Sequence, residues 1–169
     1  VPLVMRLPPE YGPSPSRVST AVSLVDVLPS LLDVAGLAIP PGLPGRSLLA
    51  TAREEAAAGP GERTVFAEYH SQGMLDAGFM VRRGAWKYCH YAGHRPQLFN
   101  TAVDPQERHD LAGEASSAPL LAAFEGALRA VCDPERVDAA AKADQARRAG
   151  GVGRRRLAAV RELGHNNSP

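Results

Sequence analysis

Apolar residues return along this chain at two different periods, and the change of period separates helices from strands. Leu24, Leu28, Leu31, Leu32 and Ala35 recur at helical spacing, and Gly36 follows where a helix can end in the left-handed conformation. Pro29 sits inside that run. A helix starting near Val25 or Asp26 places it in the first turn, where amide nitrogens have no intrahelical acceptor to lose. Residues 64–69 have the β-branched and aromatic content of a strand, and residues 79–91 carry two more about an Arg83-Gly84-Ala85 turn. So short a connection predicts antiparallel pairing. Leu120, Leu121, Phe124, Leu128 and Val131 then form one helical stripe behind Ser117 as a cap, suited to covering the hairpin.

Asp133-Pro134 reads as a cap and a first-turn proline, opening an alanine-rich helix to Arg148 with a thin apolar face. Gly150-Gly151-Val152-Gly153 is expected to break it before a short helical stretch over residues 154–163 and a polar tail. At the other end, Val1-Pro2-Leu3-Val4-Met5 reads as a buried strand with no polar lead-in, as if the chain began in mid-domain. Residues 8–16 form a proline-dense loop, residues 36–44 a second stiff loop, and residues 56–61 a small, polar surface excursion. Strand, helix, small antiparallel sheet, covering helix and helical tail make an α+β fold.

Composition narrows the function classes. A chain of 169 residues suffices for one compact core with appendages. With 19 basic and 18 acidic side chains the formal charge is +1, so no global field recruits nucleic acid or an anionic membrane. No apolar run reaches the roughly twenty residues of a membrane helix. Cys89 and Cys132 lack any Cys-x-x-Cys partner, which fits buried free thiols better than a disulfide framework or a thiolate zinc site. The compartment is left open, with the cytoplasm as the default.

Among side chains that carry chemistry, His70 is the one candidate site residue. It stands where a strand gives way to Ser71-Gln72-Gly73, a place from which scaffolds present functional groups, and an imidazole there can donate to a sulfate or phosphate oxygen. A histidine bonded to a neighbouring carbonyl is the plainer alternative. His90 and His94 have a helical ligand spacing but lie in a strand and loop context without clustered carboxylates, so no metal site is expected within the chain. Trp86 and Tyr88 share one strand face with Lys87 on the other, which favours a core pair beside a solvated lysine over a nucleic-acid strip. Arg154, Arg155 and Arg156 form a local basic cluster suited to a phosphate or an acidic subunit face.

Several of these segments, taken in order, resemble the C-terminal part of the sulfatase family. Val1-Pro2-Leu3-Val4 looks like the strand after the family's Glu-Gly-Gly-x-Arg segment. The run from Ser23 through Val25-Asp26, Pro29 and Leu31-Leu32-Asp33 to Ala35-Gly36 is close to its Val-Asp-x-x-Pro-Thr-Leu-Leu-Asp-x-Ala-Gly helix, and Gly45-Arg46-Ser47-Leu48 resembles the Gly-x-Ser-Leu loop. Glu68-Tyr69-His70, Arg82-Arg83-Gly84-Ala85-Trp86-Lys87-Tyr88 and Cys132-Asp133-Pro134-Glu135 look most like bacterial choline-sulfatase-like members. Asn100-Thr101 and His109-Asp110-Leu111 depart from the family's usual turn residues.

The resemblance implies a hydrolase of small sulfate esters on an alkaline-phosphatase-like core, with a formylglycine nucleophile and a calcium ion in the intact enzyme. It implies that neither of these lies in this chain, which would be inactive alone. Pro13-Ser14-Pro15-Ser16-Arg17 matches the Pro-x-Arg part of the family's nucleophile frame, but Pro13 stands where the nucleophile belongs. On this reading residues 1–61 end the α/β core, residues 62–132 form the small antiparallel subdomain with its covering helix, and residues 133–169 are a helical tail that could join copies of the chain. No nucleic acid or membrane partner is implied. The alternatives are a non-enzymatic interaction module and part of a related phosphatase or phosphonate monoester hydrolase.

Overall fold

A four-stranded antiparallel meander forms the centre of the structure, a computed structural model that describes residues 3–6, 17–70 and 74–151, the last three by backbone alone. The strands are β1 (Thr64–Tyr69), β2 (Gly78–Arg83), β3 (Trp86–Tyr91) and β4 (Gln97–Asn100), in spatial order β1-β2-β3-β4. Gly84, at φ 54°, takes the left-handed turn that joins β2 to β3 and pairs Arg83 with Trp86. Helices α1 (Val27–Val34) and α2 (Leu48–Ala58) precede the sheet, and α3 (Ala118–Arg129) and α4 (Pro134–Gly151) follow it. The fold is α+β, as expected from the periodicity.

Register places Phe79, Val81 and Tyr88 on one face, opposite Leu98, and α3 covers that face with Phe124 and Leu128. All six are nearly or fully excluded from water. Phe124 stacks on Tyr88 at 6.2 Å between ring centroids, and the Arg83 guanidinium lies over the Phe124 ring, 5.6 Å from its centroid. Val131, the last residue of the expected stripe, is exposed because the helix has already ended.

Four expectations need correction. Ser117 does not cap α3 with its side chain: a 3-10 turn over Ala115–Ser117 leads into the helix, so Ser117 is already helical when α3 begins. Residues 56–58, read as a surface excursion, finish α2, which Ser47 starts by accepting from the Leu49 and Ala50 amides and Gly59 ends at φ 81°. Residues 3–6 form no strand, and Val1 and Pro2 lie outside the described residues. Helix α4 runs to Gly151, past Arg148, because glycines at a helix end are tolerated. Its start is as expected, with the Asp133 carboxylate accepting from the Arg136 amide at 3.0 Å. The loop over residues 8–16, the final helical stretch and the arginine cluster lie outside the described residues.

The helical pair and the sheet are tied by one buried carboxylate. Asp26 is fully excluded from solvent and accepts the Ser23 amide at 2.7 Å, the Arg46 amide at 3.0 Å, and both terminal nitrogens of Arg63 at 2.6 and 2.7 Å. Arg63 immediately precedes β1, so the pair joins the start of α1 to the first strand. The approach is close enough to demand glycine at position 45: a Cβ there would lie 2.1 Å from the Val25 carbonyl oxygen. Pro29 stands in the first turn of α1, as expected, and Gly36, at φ 67°, closes the helix while the Leu37 amide reaches the Leu32 carbonyl at 2.9 Å.

Burial pulls the Asp26 carboxyl upward, but the Arg63, Ser23 and Arg46 donors outweigh it and hold the group below the usual carboxylate range. Asp26→Ala leaves Arg63 without its buried partner and is expected to lower unfolding stability by about 3–5 kcal/mol. Urea denaturation measures this, and a loss below about 1 kcal/mol, the range of a surface pair, would contradict it. Because the folded-state value is depressed, the stabilisation is complete above about pH 4, near the free carboxyl value. It is lost as pH falls through the folded value, so the stability gap between wild type and Asp26→Asn should narrow only in that acidic window.

Candidate functional site

Alternation along β1 sends Thr64, Phe66 and Glu68 to the face that α3 covers, and His70 continues that series just beyond the strand. Glu68 pairs with Phe79 and Phe79 with His90, so the three form one row across three strands. The His70 ring meets Phe79 edge-on at 5.6 Å, and His90 meets the same ring at 6.1 Å. Phe79 therefore separates two imidazoles at one end of the sheet.

His70 Nε2 lies 3.5 Å from Glu68 Oε2, yet neither buried ring nitrogen has a hydrogen-bond partner among the described residues. Among the described residues no carbonyl accepts from or meets either ring nitrogen, and residues 71–73 beside His70 lie outside the described residues. Its backbone is anchored instead: Gln145 Nε2 on α4 donates to the His70 carbonyl at 3.0 Å. Lys142 on the same helix pairs with Asp76 and Asp138 at 2.6 and 2.7 Å, and the Ala77 amide donates to Asp138 at 2.8 Å. The tail helix thus fastens the two segments that flank residues 71–73.

Beside this row is a polar network that the sequence reading missed. The Tyr88 hydroxyl donates to Glu125, and His90 Nδ1 stands 3.4 Å from both groups. Arg129 bonds Glu125 at 2.5 Å and Glu135 at 2.8 and 2.9 Å. His90 Nε2 is 3.8 Å from Glu135 and has no hydrogen-bond partner among the described residues. Only the Glu125/Arg129 part was readable, as opposite charges one helical turn apart. The network borders a shallow cleft lined by Tyr88, His90, Pro96, Leu121, Ala122 and Glu125.

Electrostatics makes the Tyr88 phenol a poor acid and the Glu125 and Glu135 carboxylates poor bases. Burial, then the bond to Glu125, pushes the Tyr88 phenol well up. Burial raises Glu125, but Tyr88 and Arg129 outweigh it and leave it depressed, and the bonds from Arg129 bring Glu135 down to about 2. Both thiols are free, and burial pushes both upward, which disfavours the reactive thiolate. Lys87 is not simply solvated: it meets Glu107 at 2.5 Å, and Glu107 holds the left-handed φ of 55° uncommon outside glycine.

The described residues do not fit the calcium ion that the family resemblance implies for the intact enzyme. A hard cation needs several free oxygens, whereas Glu125 and Glu135 enclose Arg129, and Asp76 and Asp138 enclose Lys142. Among the described residues no group of three or more His, Cys, Asp or Glu side chains is arranged to hold a metal. His94 turns to Asp76 at 2.9 Å while His90 faces α3, so the two do not converge. Residues 13–16 of the Pro-x-Arg frame lie outside the described residues.

Comparison with known proteins gives this arrangement a context. Arylsulfatase K of Mus musculus is 40% identical over 106 residues, covering 58% of this chain and 19% of the mouse protein. Arylsulfatase K of Bos taurus is 31% identical over 131 residues, covering 73% of this chain and 24% of the bovine one. The chain therefore spans about a fifth to a quarter of the curated relatives it matches. Among solved structures, BT1596, a 2-O GAG sulfatase, is 35% identical with a TM-score of 0.54, covering 63% of this chain and 23% of that one. A family model described as N-sulphoglucosamine sulphohydrolase, C-terminal, matches residues 1–133, and the chain accordingly belongs to the sulfatase family as a C-terminal region.

Proposed function

We propose that this chain is the part of a sulfate-ester hydrolase that completes the mouth of the active site, and that His70 contacts the substrate there. The observation that carries the reading is the His70 ring, anchored through its backbone by α4 while both buried nitrogens lack a hydrogen-bond partner among the described residues. A buried polar atom without a partner is unfavourable, so such a ring suits a group that receives an oxyanion or hydroxyl from elsewhere. The described part of residues 1–61 finishes the α/β core, residues 62–132 build the subdomain that carries the site, and helix α4 braces it. The reacting centre, which the family resemblance assigns to a formylglycine and a calcium ion, belongs to the rest of the enzyme, so the isolated chain is inactive.

The sequence motifs leave the substrate open, and for its class we favour a sulfated glycan. The 2-O GAG sulfatase at 35% identity and the family model described as N-sulphoglucosamine sulphohydrolase, C-terminal, support that preference. His70 then acts by binding and orienting: its imidazole donates to an oxygen of the sulfate or of the sugar, and Phe79 excludes water from one side of the ring.

In the full-length enzyme, His70→Ala should lower kcat/KM toward a sulfated disaccharide by about 10- to 100-fold, the effect of losing one charge-assisted hydrogen bond, with the urea midpoint unchanged. Activity within about twofold of wild type would remove His70 from the site. The isolated 169-residue chain should show no turnover of an aryl sulfate above buffer. Turnover by that chain would contradict the assignment of the reacting centre to the rest of the enzyme.

A further inference from the structure

Beyond its first turn, helix α4 is held to the molecule by polar side chains. Pro134 is buried at its start and Val137 packs against the core, but from Asp138 to Arg148 no described side chain joins the core. Asp138, Lys142 and Gln145 follow one another at intervals of four and three residues, which puts them on one face of the helix. That face meets the chain on both sides of residues 71–73. Asp138 accepts from the Ala77 amide at 2.8 Å, Lys142 bonds Asp76 at 2.6 Å, and Gln145 Nε2 donates to the His70 carbonyl at 3.0 Å. His94 draws Asp76 from a second side at 2.9 Å. The partners lie 61 to 75 residues apart in sequence, so the stripe is assembled only by the fold.

From this stripe we infer that Gln145 is a positioning residue for the sulfatase reaction, acting through the His70 carbonyl, while Lys142 and Asp138 fix where the helix lies. The inference rests on the functional reading of His70 above and adds the group that aims it. Three observations carry it. His70 is the first residue after β1, and the strand ladder ends at the Tyr69–Gly78 pair, so the sheet does not hold the His70 carbonyl and Gln145 does. Phe79 meets the His70 ring edge-on, so the residue is placed from two sides, its ring by the sheet and its backbone by α4. Exposed ion pairs such as Lys142 with Asp76 add little to stability, which suits the stripe to placing a neighbour more than to holding the fold. The family match ends at residue 133, before α4 begins, so this contact is an addition to the shared C-terminal region.

Kinetics of the full-length enzyme with a sulfated disaccharide test this. Gln145→Glu keeps the length of the side chain but at neutral pH only accepts, so it faces the His70 carbonyl with no proton to give. It should lower kcat/KM about tenfold, mainly through KM because His70 binds substrate, with the urea midpoint unchanged. Gln145→Lys, whose ammonium still donates, should rescue kcat/KM to within about threefold of wild type. In a His70→Ala background Gln145→Glu should cost less than about twofold, since the ring it aims is gone. Wild-type kinetics in Gln145→Glu while His70→Ala is impaired overturn the inference alone. So does a loss that persists in the His70→Ala background or that Gln145→Lys shares, because donation to His70 is then not its cause. A loss accompanied by a fall in the urea midpoint overturns it as well, since Gln145 then supports the fold. His70→Ala at wild-type activity overturns instead the functional reading on which the inference rests.

Discussion

The buried Asp26 carboxylate is the constraint on which the rest of the structure depends. Four donors converge on it, one from the turn before α1, one from the loop before α2 and two from the residue that precedes β1. Each of those segments directs a polar group at the one buried anion. Gathering them on one anion settles the direction in which α1 faces, and with it the outward position of Leu28 and Leu31. Gly45 is part of the same device, since only a residue without a side chain lets the loop backbone reach Val25 and Asp26.

At the opposite end of the sheet the logic is similar but incomplete. Carboxylates Glu125, Glu135, Asp76 and Asp138 are each satisfied by a cation from a helix, which joins α3 to α4 and α4 to the loop before β2, while the Tyr88 hydroxyl joins β3 to Glu125 on α3. His70 alone in its row combines a fixed backbone with a ring whose nitrogens find no hydrogen bond among the described residues. A rigid support beneath an unsatisfied polar group is what a binding contact needs, because the support limits the freedom lost when the partner arrives.

Much of this was legible in the sequence where the information is local. Pro29 in a first turn, Gly36 at a helix end, the two-residue hairpin at Gly84 and the Asp133-Pro134 helix start each depend on a few neighbouring residues, and the structure has them as expected. Helix α2 was missed although its Ser47 cap and Gly59 terminus were present, because its alanines and charges carry little periodic signal. Ser117 misled for a related reason: the cap preference says nothing about a preceding 3-10 turn. Residues 1–5 read as a strand, but residues 3–6 find no pairing partner among the described residues, and a strand is a property of two segments. Position 70 was legible as a strand end, while the Tyr88, Glu125 and Arg129 contacts, between β3 and α3, required the fold.

The central claim is that this chain supplies a pre-formed wall to an active site whose chemistry resides elsewhere in the enzyme. A crystal structure of the full-length protein with a sulfated disaccharide bound tests it most directly. The account predicts His70 at about 2.7–3.2 Å from a sulfate or sugar oxygen, a hydrogen-bond distance. A ligand bound with the His70 end of the sheet facing bulk solvent, beyond the reach of even one bridging water, would contradict it.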